Sequence, residues 1–117
     1  CHTEPLFTNF EFINNGLDSV FADPGRMRIT LQPNDEGKFK VPSLRNVEVS
    51  APYMHDGRFA SLEEVLAHYS SGVTPSHTLH PSLHNYRLRP DQKRDIISFL
   101  HALTDEHFLT DPRFGQQ

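Results

Sequence analysis

Hydrophobic and polar positions along this chain fall into distinct regimes. Between residues 5 and 17, Leu6, Phe7, Phe10, Phe12, Ile13 and Leu17 recur at no fixed period. A helix repeats every ~3.6 residues and a strand about every 2, so the spacing fits neither. It reads as an irregular, aromatic-rich loop lying over a core. From residue 61 the pattern sharpens. Leu62, Val65, Leu66 and Tyr69 fall on one narrow face at about 100° per residue, with His68 about 100° from Tyr69 on the flank. The run Ser61-Leu62-Glu63-Glu64 has the form of a capping box. Together they predict a helix from Ser61 to about Tyr69 or Ser70, stopping before Gly72.

A second helix is predicted from near Pro90. Proline at the first helical position gives up no hydrogen bond, and Asp91 sits where the helix dipole favours a negative charge. Ile96, Ile97, Leu100 and Leu103 supply one apolar face. Residues 73–89 form a long loop. Upstream, Asp23-Pro24-Gly25 and Asn34-Asp35-Glu36-Gly37 are turn signals. The runs MRITL and GKFKV are candidates for a short two-stranded ribbon. After Thr104 the tail is polar, with Phe108, Leu109 and Phe114 available to dock on a neighbour. The fold class is therefore all-α, with few helices and long ordered loops.

Composition adds a reason for so much loop. The 117 residues make one domain, 1–117, burying roughly 65% of its unfolded surface. Only 36% are hydrophobic, with no Trp, nine Phe, nine Pro and six Gly. A core this thin suits a domain that folds around a large apolar cofactor or packs on another domain. An ordinary small loop-rich domain is the plainer alternative. The formal charge is −4 with Lys and Arg scattered, which argues against a nucleic-acid surface. No apolar run approaches the roughly 20 residues of a membrane span.

The chemistry-bearing residues are few. The chain opens Cys1-His2, with its only cysteine. That dipeptide matches the last two positions of C-x-x-C-H, the c-type haem attachment motif. Met54, His68 and Tyr69 are candidates for a second ligand on the opposite side of such a group. Tyr on an apolar helix face is otherwise a core aromatic, and Met54 otherwise fills a gap in the core. His77, His80 and His84 have a spacing that invites a zinc reading. Pro75 and Pro81 break up the stretch and no acidic partner is adjacent, which favours a solvated loop.

The stretch FKVPSLRNVEVSAPYMHDGRFASLEEVLAHYSSG resembles the C-terminal haem domain of the bacterial dihaem cytochrome c peroxidase and MauG-like family. CHTEPLFTNFEFINNGL resembles the segment leaving that domain's haem motif, and RPDQKRDIISFLHALTD its closing helix. The resemblance implies haem c, with Cys1 as a thioether cysteine and His2 as the proximal iron ligand. The first cysteine of the motif would then lie upstream. Tyr69 occupies the place of the family's distal axial ligand, Met in its peroxidases and Tyr in its MauG-like members. Met54 is the alternative. Arg45 is implied as a propionate partner and His55 as a neighbour of the haem.

Calcium is implied through the backbone carbonyls of Ser50 and Pro52. The function implied is electron transfer within an oxidoreductase that reduces hydrogen peroxide or uses it to oxidise a substrate. A stand-alone monohaem carrier and a haem-free structural fragment are the alternatives. Partners implied are an N-terminal haem domain of the same protein and a small redox protein or protein substrate, with a homodimer left open. Because c-type haem is assembled outside the cytoplasm, the expected location is the periplasm.

Overall fold

A computed structural model describes residues 1–115. Of its four helices, α1 spans Met27–Thr30, α2 Leu62–Ala67, α3 Pro90–His101 and α4 Glu106–Thr110. The two strands are β1, Phe12–Ile13, and β2, Phe39–Lys40. The all-α class with long loops and a short ribbon is the observed architecture.

Local sequence sets both main helices. The Ser61 hydroxyl accepts from the Glu64 N–H at 3.3 Å, and the Glu64 carboxylate reaches back to the Ala60 N–H at 2.6 Å. The reciprocal bond thus falls one residue earlier than a capping box places it. At α3 the Gln92 side chain accepts from the Arg89 N–H at 3.0 Å, and Pro90 occupies the first turn. The two helices pack together. Leu62, Leu66 and Leu100 are buried, and with Ile13, Val41 and Val73 they form the apolar core.

The end of α2 departs from the predicted helix. After Ala67 the chain continues as a π turn, His68–Gly72. A π turn closes on the fifth residue, so the rotation of about 100° per residue stops applying there. His68 is therefore buried, at 7% exposure, rather than on the flank, and Tyr69 is half-buried. The turn is closed from outside. Tyr86 N–H donates to the Tyr69 carbonyl at 3.1 Å and Arg87 N–H to the Ser70 carbonyl at 3.0 Å.

The ribbon also differs from expectation. β2 pairs antiparallel with β1, Phe12 opposite Lys40 and Ile13 opposite Phe39. MRITL instead supplies α1. The reason lies at Gly25, which sits at φ 58° with its backbone against Lys38, and Arg26 N–H donates to the Lys38 carbonyl at 2.9 Å. A Cβ there would stand 2.5 Å from that oxygen, so only glycine fits. The close crossing turns the following residues into a helical turn. The opening segment is irregular as predicted, apart from β1. It does not lie wholly over the core, because Leu6 and Phe10 remain exposed.

Polar residues complete the interior. Asn14, 2% exposed, donates to the Ser76 and Thr78 hydroxyls at 2.9 and 2.8 Å and accepts from the Gly16 N–H at 2.8 Å. Thr8 donates to the Val41 carbonyl at 2.7 Å. Among the described residues every buried side-chain nitrogen and oxygen has a partner.

The molecule is a flat slab, 43 × 39 × 25 Å. Its radius of gyration is 15.5 Å, against about 13 Å for a compact chain of this length. Its accessible surface is 7,970 Å², against roughly 6,500 Å² for a monomer of this mass. In the tail, Phe108 and Phe114 stack on each other, ring centres 4.8 Å apart. Among the described residues no helix is long and apolar enough to cross a membrane.

Candidate functional site

His2 is exposed, as is the free thiol of Cys1. Its Nδ1 lies 3.0 Å from the Phe7 carbonyl oxygen. A carbonyl only accepts, so Nδ1 carries the proton and Nε2 keeps its lone pair. Phe7 aims that carbonyl from φ 51°. Its ring packs edge-on against Phe99 of α3 at 6.0 Å, and its carbonyl also takes the Leu44 N–H at 3.3 Å. A histidine whose tautomer is set by a backbone oxygen keeps its other nitrogen available to a metal.

Met54, His68 and Tyr69 lie together around Asn15. The Asn15 amide donates to the Met54 sulfur at 3.3 Å. His68 Nε2 donates to the Asn15 carbonyl at 3.1 Å. Burial pushes the Tyr69 phenol above its ordinary value, and the side chain of Asn15 acts in the opposite direction on it. The His68 and Tyr69 rings are 5.0 Å apart. Met54 reaches this place from a loop closed by the Tyr53 N–H on the Phe59 carbonyl, at 2.7 Å. Sequence reasoning singled out the three candidate ligands and missed Asn15. Its only signal was Asn14-Asn15-Gly16, which reads as a turn.

A charged clamp ties the two segments that meet here. Arg58 donates to both carboxylate oxygens of Asp18, at 3.0 and 2.7 Å, and to Asp56 at 2.7 Å. These bonds hold the Arg58 guanidinium well above its ordinary value and the Asp56 carboxyl below its own. Arg45 stands elsewhere, in an exposed ion pair with Asp105 at 3.5 Å. His55 is exposed and stacked on Phe39, ring centres 3.7 Å apart and planes at 12°. Ser50 and Pro52 are exposed, and among the described residues neither carbonyl accepts a hydrogen bond.

The three loop histidines are engaged separately. His77 faces Glu36 at 3.4 Å, His80 Nδ1 accepts from the Ser82 N–H at 3.2 Å, and His84 packs on the Tyr86 ring. Among the described residues no group of three or more His, Cys, Asp or Glu is placed to hold a metal ion. Two open clefts mark the surface, one of about 420 Å³ between Phe10, Arg26 and His80, one of about 560 Å³ between Leu17, Phe59 and His68. Neither is lined by His2, Met54 or Tyr69.

No family model matches the chain. Individual proteins do. Cytochrome-c peroxidase IdrP1 of Pseudomonas sp. (strain SCT) is 42% identical over 86 residues, 70% of this chain and 22% of that protein. Methylamine utilization protein MauG of Methylophilus methylotrophus is 33% identical over 108 residues, 88% of this chain and 31% of that protein. A crystal structure of a MauG-like protein associated with microbial copper homeostasis superposes with a TM-score of 0.81 at 36% identity. It covers 90% of this chain and 35% of the other. The chain spans about a quarter of the length of the curated relatives it matches.

Proposed function

This chain is a homologue of the cytochrome-c peroxidases and MauG proteins, and from that premise we propose that it is a c-type haem domain of such an oxidoreductase. The observation that carries the proposal is the bond from His2 Nδ1 to the Phe7 carbonyl, which leaves Nε2 for iron. The donor set fits the group: a thiol next to an oriented imidazole, and a half-buried phenol and a thioether that both neighbour Asn15. The small apolar core and the large surface for its mass fit a fold that needs an apolar group and further chain to cover it.

Haem bound here supplies an iron centre that takes up and returns single electrons. Cys1 would hold it through its sulfur, His2 from the proximal side and Tyr69 from the distal side. A phenol ligates as its anion, and an anion favours the higher oxidation states of the metal. Burial works against ionising Tyr69, while the Asn15 side chain favours it. With His2 and Tyr69 both holding the group, this domain would pass or store charge. Peroxide cleavage needs an open iron position, which belongs to another part of the parent protein.

On this reading the parent reduces hydrogen peroxide or uses it to oxidise a substrate. It works in the periplasm with a second haem domain of its own chain and a small redox protein or protein substrate. Ser50 and Pro52 would each offer calcium a backbone oxygen, since both carbonyls lack a protein partner among the described residues.

The test is the haem content of the full-length protein from a host that matures c-type cytochromes. The pyridine haemochrome should count two c-haems per chain, one of them lost with Cys1→Ala and His2→Ala together. One c-haem per chain identifies a monohaem carrier instead, and a double variant that keeps both haems refutes the assignment to this segment.

A further inference from the structure

We propose that Asn15 is the positioning residue that decides which side chain reaches the distal face of the metal, holding Met54 and His68 back and leaving Tyr69. The inference rests on the reading of Tyr69 as distal ligand.

Each of the three candidates is in a different state. The Met54 sulfur accepts the Asn15 amide N–H at 3.3 Å, so part of its lone-pair density is already directed at a proton. Met54 is held there at φ 73°, a conformation a non-glycine residue keeps only when its surroundings impose it. His68 donates its Nε2 proton to the Asn15 backbone oxygen at 3.1 Å, and its other ring nitrogen, Nδ1, is turned onto Gly72 of its own turn, 3.3 Å from where a Cβ there would stand, so neither nitrogen is presented outward while the bond stands. Tyr69, half-buried with its ring 5.0 Å from that of His68, is the candidate whose donor atom takes part in neither of those bonds.

Asn15 can select because its backbone is anchored on both flanks. On one side Asn14 is anchored to Ser76 and Thr78. On the other, Gly16 sits at φ 73° with Val73 so close that a Cβ would stand 2.7 Å from its Cγ1. The Gly16 carbonyl accepts the Thr74 N–H at 2.8 Å. A group fixed on both flanks imposes its own geometry on its neighbours.

The experiment compares visible and near-infrared absorption and the reduction potential of this haem in the full-length, haem-loaded protein. Asn15→Leu removes the donor but keeps the backbone carbonyl that holds His68. The expected result is loss of the phenolate-to-iron band, a higher potential and a new thioether-to-ferric-iron band. Adding Met54→Leu to that variant should abolish the new band. Asn15→Asp has the same shape, places a carboxylate where the donor was, and should shift ligation in the same direction if Asn15→Leu does not load haem. Wild-type spectrum and potential in the variants overturn the inference, as does a change that Met54→Leu leaves untouched. Tyr69→Phe separates the two levels. If it leaves the phenolate band in place, the reading of Tyr69 falls; if it removes the band while the Asn15 variants stay wild-type, only the role of Asn15 falls.

Discussion

The Nδ1 atom of His2 and the carbonyl oxygen of Phe7 are 3.0 Å apart, and that contact decides which face of the imidazole is free. Because the acceptor is backbone, no side-chain substitution at Phe7 removes it. His2→Gly should therefore cost the full-length protein its low-spin haem spectrum. Added imidazole should restore it by occupying the vacated position. A His2→Gly protein with an unchanged spectrum would place the proximal ligand elsewhere.

Asn14 joins the opening segment to residues 76–78 with two donated bonds, one buried and one partly so. Asn14→Ala leaves both hydroxyls and the Gly16 N–H short of a partner. Each loss costs about 1–3 kcal/mol, so the whole change should destabilise by roughly 3 kcal/mol, a Tm drop of roughly 5 °C in a longer parent chain. Thermal unfolding of the full-length protein measures it. A drop within about 2 °C would mean that water replaces the lost bonds.

These two residues show where sequence reading reaches and where it stops. Both main helices were legible because their signals are local: Ser61 with Glu64, and Pro90 with the apolar face ending at Leu103. Asn14 and Asn15 were not, because their partners lie far along the chain, at Thr78, Met54 and His68. The burial of His68 was misread because periodicity assumes an α-helix, and the chain enters a π turn at that residue. The ribbon partner was misread because the crossing of Gly25 on Lys38 leaves no mark in either local pattern. Cys1, His2 and Tyr69 were singled out through their motif context and Arg45 for its charge; the structure pairs Arg45 with Asp105 and gives the bidentate clamp to Arg58.

Arg58 binds Asp18 through two parallel bonds and Asp56 through a third. Asp18 lies close to Asn15 in the chain and Asp56 close to Met54, so the clamp should steady the contact between them. The groups are part-exposed, with about a third of each side chain open to solvent. That limits the pair to about 1 kcal/mol at low salt and less at high salt. Arg58→Met should lower stability by that amount, and the difference from wild type should shrink as salt rises. A loss that does not respond to salt would show that packing of the arginine stem, rather than its charge, is what matters.

Asp35 sets how the excursion from residue 23 to residue 38 responds to acid. Its carboxyl lies below the ordinary value of 3.8 because of a hydrogen bond from Thr30, then Lys38 and Arg26. Ion-pair distances are 3.3 Å to Arg26 and 3.4 Å to Lys38. For an acid whose folded pKa is depressed, the linked stability is fully present above the unfolded value and is lost as pH falls through the folded one. The segment should therefore hold at neutral pH and loosen only below 3.8. Amide exchange at Arg26 and Gly37, whose N–H groups bond the Lys38 and Pro24 carbonyls, reads that opening locally. Asp35→Asn should raise exchange at both amides near neutral pH and remove the acid-dependent step, leaving α2 and α3 unaffected. If the wild-type step persists in Asp35→Asn, another carboxylate controls it. Glu36, whose neighbour is His77, is then the next to substitute.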